Sequence, residues 1–268
     1  ENQFFSNLVE VVQQEAQARG YSLTIVHYRP GQDMDAHLEY VGNLAPDGLL
    51  LQATELTEEA LRRYLELGLP TVLLDGYFDL EPVDSVTLDD QTSIYRAYAY
   101  ARDMGHERIG FLAGTPRIKN FEHHLDGFWK CVRDLGPAGA DHPVVELGCT
   151  FEEARRDMAA FLANPPDGFR MPTCLIADLD NIALGAMRAL KDAGYSIPGD
   201  VSVIGYGNTG IAAISEPPLT TTQIEMYESG RLAMSLLAER MRNPHKAAVT
   251  TTMVSSYLVE RGSVRRLI

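Results

Sequence analysis

The chain has 268 residues, 45% of them hydrophobic and 22% charged, which is enough to bury a core and too apolar for a disordered chain. Its 23 Lys and Arg stand against 37 Asp and Glu, a net charge of −14. That balance disfavours nucleic-acid or anionic-membrane binding by this segment, because both need clustered cations, and no apolar run approaches the ~18 residues of a membrane span.

Apolar residues at Phe4, Phe5, Leu8, Val9, Val12 and Ala16 recur at helical spacing and predict a helix over 2–19, stopped by Gly20. A strand is predicted over 21–28, a helix over 35–43 and a strand over 48–51. Thr57 can cap the next helix, with Glu58 and Glu59 in its first turn and Gly68 at its end. Strands follow over 71–75 and 83–88, then a helix over 90–104. The second half continues with strands over 108–112, 143–146, 173–177 and 201–205. Helices over 121–135, 151–162 and 181–193 alternate with them. An amphipathic helix over 226–242 precedes a β-rich stretch over 249–259. Such alternation, at steps of ~20–25 residues, marks parallel sheets with helices on both faces. The fold class is α/β, with two doubly wound units in series.

Cys131, Cys149 and Cys174 are an odd number of thiols in no paired spacing, which reads as reduced cysteines of a cytoplasmic protein. No Cys/His ligand cluster, signal peptide, P-loop, G-x-S-x-G or H-E-x-x-H motif is present, so no metal, cofactor or catalytic role is expected. His37-Leu38-Glu39 lacks the P-C-x-x-C that a zinc deaminase would add. His123 and His124, adjacent on a helix, point in different directions and cannot easily share a metal. Gly205-Tyr206-Gly207-Asn208-Thr209-Gly210 matches G-x-G-x-x-G after an apolar strand. A dinucleotide site would need a long helix next, and Pro217-Pro218 forbids one, so a glycine-rich turn is the preferred reading. Asp178 and Asp180 stand two apart at a strand end, where open α/β sheets bind ligands. Asp180 is equally readable as a helix N-cap before Asn181.

The segment 173–222 is identified as similar to the effector-binding domain of the LacI/GalR family of bacterial transcriptional regulators. The residues that carry this are Asp180-Asn181-Ile182-Ala183-Leu184-Gly185, the run from Pro198 through Asp200-Val201-Ser202-Val203 to Gly205-Tyr206, and Pro217-Pro218-Leu219-Thr220-Thr221. Asp47-Gly48-Leu49-Leu50, Met104-Gly105-His106 with Arg108-Ile109, Gly127-Phe128 and Leu258-Val259-Glu260-Arg261 extend the likeness over essentially the whole chain. The resemblance implies two lobes of periplasmic-binding-protein type I with a ligand cleft between them. The lobes would be 1–104 with 226–254, and 105–225 with 255–268, joined by crossovers near 104, 225 and 255. It also implies a homodimer, a small-molecule effector (a sugar or nucleobase) and operator DNA bound through a helix-turn-helix upstream of residue 1. Asn2-Gln3-Phe4-Phe5 resembles the segment that follows the family's first strand.

Carried over position by position, the resemblance places Phe4 and Phe5 at the pocket mouth. It gives Asp89, Asp90, Asp180, Tyr206 and Asn208 as effector-binding positions, with His124 where the family commonly has Arg. A carboxylate takes two sugar hydroxyl protons, which is the reason such sites keep Asp. Four positions depart from the family: His124, Gly207 and Asn208 in place of two Asp, and Ile224 in place of Gln. A titratable imidazole is not equivalent to a fixed guanidinium, so the expected ligand is less anionic or less hydroxyl-rich, or response has been lost. Trp129 and Phe151 are the remaining stacking candidates, although core packing is the simpler role for both. The function implied is effector sensing without catalysis. A periplasmic sugar-binding protein of a transporter is the alternative, and reduced cysteines with the P-P-L-T-T segment favour the regulator.

Overall fold

The computed structural model describes residues 3–29, 31–78 and 81–267. Chain contacts divide it into two units, 1–88 with 225–254 and 89–224 with 255–268. Elements are numbered in chain order.

The first unit contains α1 (Gln3–Ala18), α2 (Met34–Asn43), β1 (Leu49–Gln52), α3 (Glu58–Leu65), β2 (Thr71–Leu74), β3 (Asp84–Leu88), α9 (Met226–Arg242) and β9 (Thr251–Val254). Its strands pair in parallel in the order β1-β2-β3-β9. Helix α3 starts where its chemistry dictates: the Thr57 hydroxyl accepts the Ala60 N–H, acids occupy its first turn and Arg62 and Arg63 its last, matching the helix dipole. Helix α9 buries Ala233, Met234, Leu236 and Leu237 and packs on α1, so its apolar stripe is core. Asp84, buried, accepts from Arg240 Nε at 2.6 Å and from the Thr250 N–H at 2.8 Å, tying α9 and β9 to β3.

The second unit contains α4 (Asp90–Asp103), β4 (Ile109–Thr115), α5 (Lys119–Leu135), β5 (Val144–Gly148), α6 (Phe151–Ala163), β6 (Cys174–Ala177), α7 (Asp180–Asp192), β7 (Ser202–Tyr206), α8 (Gly210–Ile214), β8 (Thr220–Gln223) and β10 (Tyr257–Val259). The sheet order is β10-β8-β7-β6-β4-β5, parallel except for β10 against β8. Its central strands are apolar on both faces, as a parallel sheet covered by helices requires: β6 and β7 are buried along their whole length. A capping box between Thr150 and Glu153 opens α6.

One expectation changes. The segment over 21–28 has strand-like alternation but joins no ladder with the described strands, and Ile25 stays 47% exposed. A strand exists only where its N–H and C=O groups find a neighbour, and pattern alone does not supply one. By its contacts, helix α4 groups with the second unit, whose first stretch begins at Asp89. Helix α4 buries Ile94, Ala97, Tyr98 and Ala101 and packs on α5, where a Cβ on Gly127 would sit 3.1 Å from the Gln91 Cα.

Candidate functional site

The strand C-termini of the second unit gather the chemistry. Asp178 follows β6 directly and is fully buried. It accepts the Gly114 N–H at 2.6 Å and Arg117 Nη1 at 3.2 Å on Oδ2, while His124 Nδ1 lies 2.9 Å from Oδ1. On the other side of the His124 ring, Nε2 is 3.4 Å from Asp90 Oδ1, a charge contact without good hydrogen-bond alignment. Asp90 Oδ1 also accepts the Tyr206 hydroxyl at 2.8 Å, and the Tyr206 and His124 ring centroids are 4.4 Å apart. Helix α4, helix α5, the end of β6 and β7 each contribute one member of this chain of contacts.

The imidazole is only 2% exposed. Burial alone would lower its pKa, but Asp178 and Asp90 outweigh that and raise it to about 9. His124 is therefore an imidazolium at neutral pH. The cation expected to disappear with the Arg-to-His departure is retained, in the interior.

Asp180 is not an N-cap. Leu179 occupies that position without a side-chain bond, and Asp180 is the first residue of α7. It is 1% exposed. Oδ2 accepts the Thr209 N–H at 2.6 Å and the Thr209 hydroxyl at 2.9 Å, and Oδ1 accepts the Thr221 hydroxyl at 2.5 Å. Burial raises its pKa against these donors. Both carboxylate oxygens of Asp180 are thus engaged by protein donors. Gly207 (φ 121°) and Asn208 (φ 47°) make the left-handed turn that brings Thr209 to Asp180. Asn208 is occupied as well, Oδ1 accepting from Arg261 Nη2 at 2.6 Å and Nδ2 donating to Gln223. Asp89 caps α4 by accepting the Thr92 N–H at 3.3 Å.

Phe4 and Phe5 fall in α1, but their side chains lie outside the described residues. His123, expected to point away from His124, approaches the same carboxylate, its Nδ1 4.0 Å from Asp90 Oδ2. His37 bonds the Tyr64 hydroxyl at 2.7 Å. Ile224 is buried. Phe151 packs on the core of the second unit, and Trp129 sets its ring edge-on to Phe128. Arg117 was missed, as were the Thr209 and Thr221 hydroxyls, because no local spacing links them to Asp178 or Asp180. The glycine-rich run leads only into the five-residue α8, so it offers a pyrophosphate no long helix N-terminus. Among the described residues no group of three His, Cys, Asp or Glu side chains is placed to hold a metal, and no helix is long and apolar enough to cross a membrane.

Parallel α/β units with ligand-type strand ends define a fold of the periplasmic-binding-protein type. The chain belongs to the periplasmic binding protein-like domain family, whose sequence profile matches residues 98–264. The HTH-type transcriptional repressor CytR of Escherichia coli strain K12 is 29% identical over 266 residues, covering 98% of this chain and 76% of the relative. Catabolite control protein A of Priestia megaterium is 26% identical, covering 94% and 75%. A solved LacI family transcriptional regulator from Enterococcus faecium with bound ribose superposes with a TM-score of 0.83 at 23% identity, covering 100% of this chain and 96% of that one. A dimeric Lac repressor superposes at 0.84 and 21%, covering 98% and 95%. These bear out the LacI/GalR resemblance and the fold class read from the sequence. Similarity to a transcriptional repressor along nearly the whole chain does not favour the transport-protein alternative.

Proposed function

We propose that this chain is the effector-sensing part of a LacI/GalR-type transcriptional regulator. A sugar-like small molecule biases its conformational equilibrium and so the affinity of an attached module for operator DNA. The observation that carries this is likeness to a repressor along 98% of the chain. In keeping with it, the strand ends, where open α/β sheets bind ligands, hold a buried carboxylate–imidazolium chain. The chain works as a homodimer, without catalysis, in the cytoplasm, where its three thiols stay reduced.

Thermal unfolding against sugars, sugar phosphates and nucleobases tests this reading. A cognate effector at ~100 times its dissociation constant adds about 2.7 kcal/mol, a shift of a few degrees. No stabilisation by any class, or stabilisation by a nicotinamide dinucleotide alone, would overturn it.

A further inference from the structure

We infer that the effector is read as an anion: the strand-end face of the second unit is arranged to meet a negatively charged oxygen group on a sugar-sized molecule, and Arg117 is the residue that meets it. This rests on the effector-sensing reading above.

The acceptors and donors that remain for a ligand decide its charge. A neutral polyol is held chiefly by carboxylates that accept its hydroxyl protons. Asp178, Asp180 and Asp90 are at most 5% exposed. Each already receives protein donors: Gly114, Arg117 and His124 on Asp178, Thr209 and Thr221 on Asp180, and Tyr206 on Asp90, which His124 approaches as a charge contact. Gly207-Asn208 takes the place of two further acids, and the Asn208 carbonyl is held by Arg261. Asp89 is a half-exposed carboxylate beside them in sequence, and it is engaged with the Thr92 N–H.

The donors are placed differently. Arg117 follows β4 and keeps 24% of its side chain exposed. It leans on Asp178 through Nη1 and on the Phe121 carbonyl through Nη2, with its guanidinium 5.9 Å from the Phe121 ring centroid. A guanidinium carries five N–H groups, so these two contacts fix its plane and leave others for a ligand. His124 supplies the second positive charge against the Asp90–Asp178 pair, which spares Arg117 from neutralising both acids. Asp178 and Asp90 have cationic partners, and Arg117 is a partly exposed cation whose planar fork suits phosphate or carboxylate oxygens.

The test is isothermal titration of the whole chain with D-ribose, D-ribose 5-phosphate and D-ribonate, on wild type, Arg117→Met and Arg117→Lys. At least one anionic probe is expected to bind ten times more tightly than ribose. Arg117→Met should abolish that preference and Arg117→Lys should keep part of it, with the unfolding temperature confirming that each variant folds. The phosphate and carboxylate arms identify which anion is read. Ribose, or a neutral nucleobase, binding as well as the anions with no effect of Arg117→Met would overturn the inference and leave the sensing reading standing. Silence from these probes and from the wider panel would overturn both.

Discussion

Gly205 lies so close to Asp180 that a methyl group on its α-carbon would sit 2.3 Å from Oδ1 and 2.7 Å from the Leu219 Cδ2. The first glycine of the G-x-G-x-x-G run therefore makes room for a carboxylate of the protein itself. Gly205→Ala is expected to cost about 1–3 kcal/mol by overpacking. Thr221→Val removes the donor to Oδ1 and should cost a similar ~1–3 kcal/mol by leaving a buried acceptor unmet. Urea unfolding of the two single variants and the double variant measures this, and additive effects would show that the clamp does not act as a unit.

His124 makes stability depend on pH. Its folded pKa, about 9, lies above the ordinary imidazole value of 6.5. The stabilisation is complete below pH 6.5 and is lost as pH rises through about 9; its full size is on the order of 3 kcal/mol. Urea midpoints at pH 6, 7.5 and 9.5 should fall in that order for wild type, and His124→Gln should flatten the decline. A wild-type curve as flat as the variant's would remove His124 as its cause.

His124→Ala goes further, because it leaves Asp90 and Asp178 without the cation between them. Breaking a buried pair in this way costs roughly 3–5 kcal/mol. Stability within ~1 kcal/mol of wild type would show that the carboxylates are compensated by other groups.

In the first unit, Arg240 and Asp84 are a second, independent pair, with side chains 13% and 2% exposed. Arg240→Met should destabilise by about 3–5 kcal/mol. The companion Arg231→Met, which removes an exposed pair with Glu228, should leave the urea midpoint nearly unchanged. Equal losses would argue against burial as the deciding variable.

The thiols should be poor nucleophiles. Burial pushes Cys131 up to about 12 and raises Cys174 further, and Cys149 is also raised, by burial first and then by Asp178. At pH 8 the folded chain should react slowly with a maleimide, and all three thiols should react promptly after unfolding. Fast labelling of the folded chain would contradict this.

Local pattern was enough to read much of the molecule. Helical spacing placed α9 over Met226–Arg242 without error, and Thr57 and the run of acids after it marked the start of α3. Such signals sit within a few residues of the structure they cause. The motifs from Asp180 to Thr221 likewise carried the family. The extended segment over 21–28 shows the limit: alternation describes a face, whereas a ladder needs a neighbouring edge.

The strand ends were decided by tertiary structure. Sequence alone marked Asp90, His124, Asp178, Asp180 and Tyr206 as residues able to do polar chemistry. Separations of 116 residues between Tyr206 and Asp90, and of 54 between His124 and Asp178, hide which of them meet. Packing α4 on α5 and threading β6 between β4 and β7 buries them together. There Asp178 and Asp90 hold the imidazole as a cation against the cost of burial, and the carboxylates take up donors from distant parts of the chain. Composition and spacing determine which groups are present and which face of an element they occupy. Only the folded neighbourhood sets their charge, their partners and what they leave exposed.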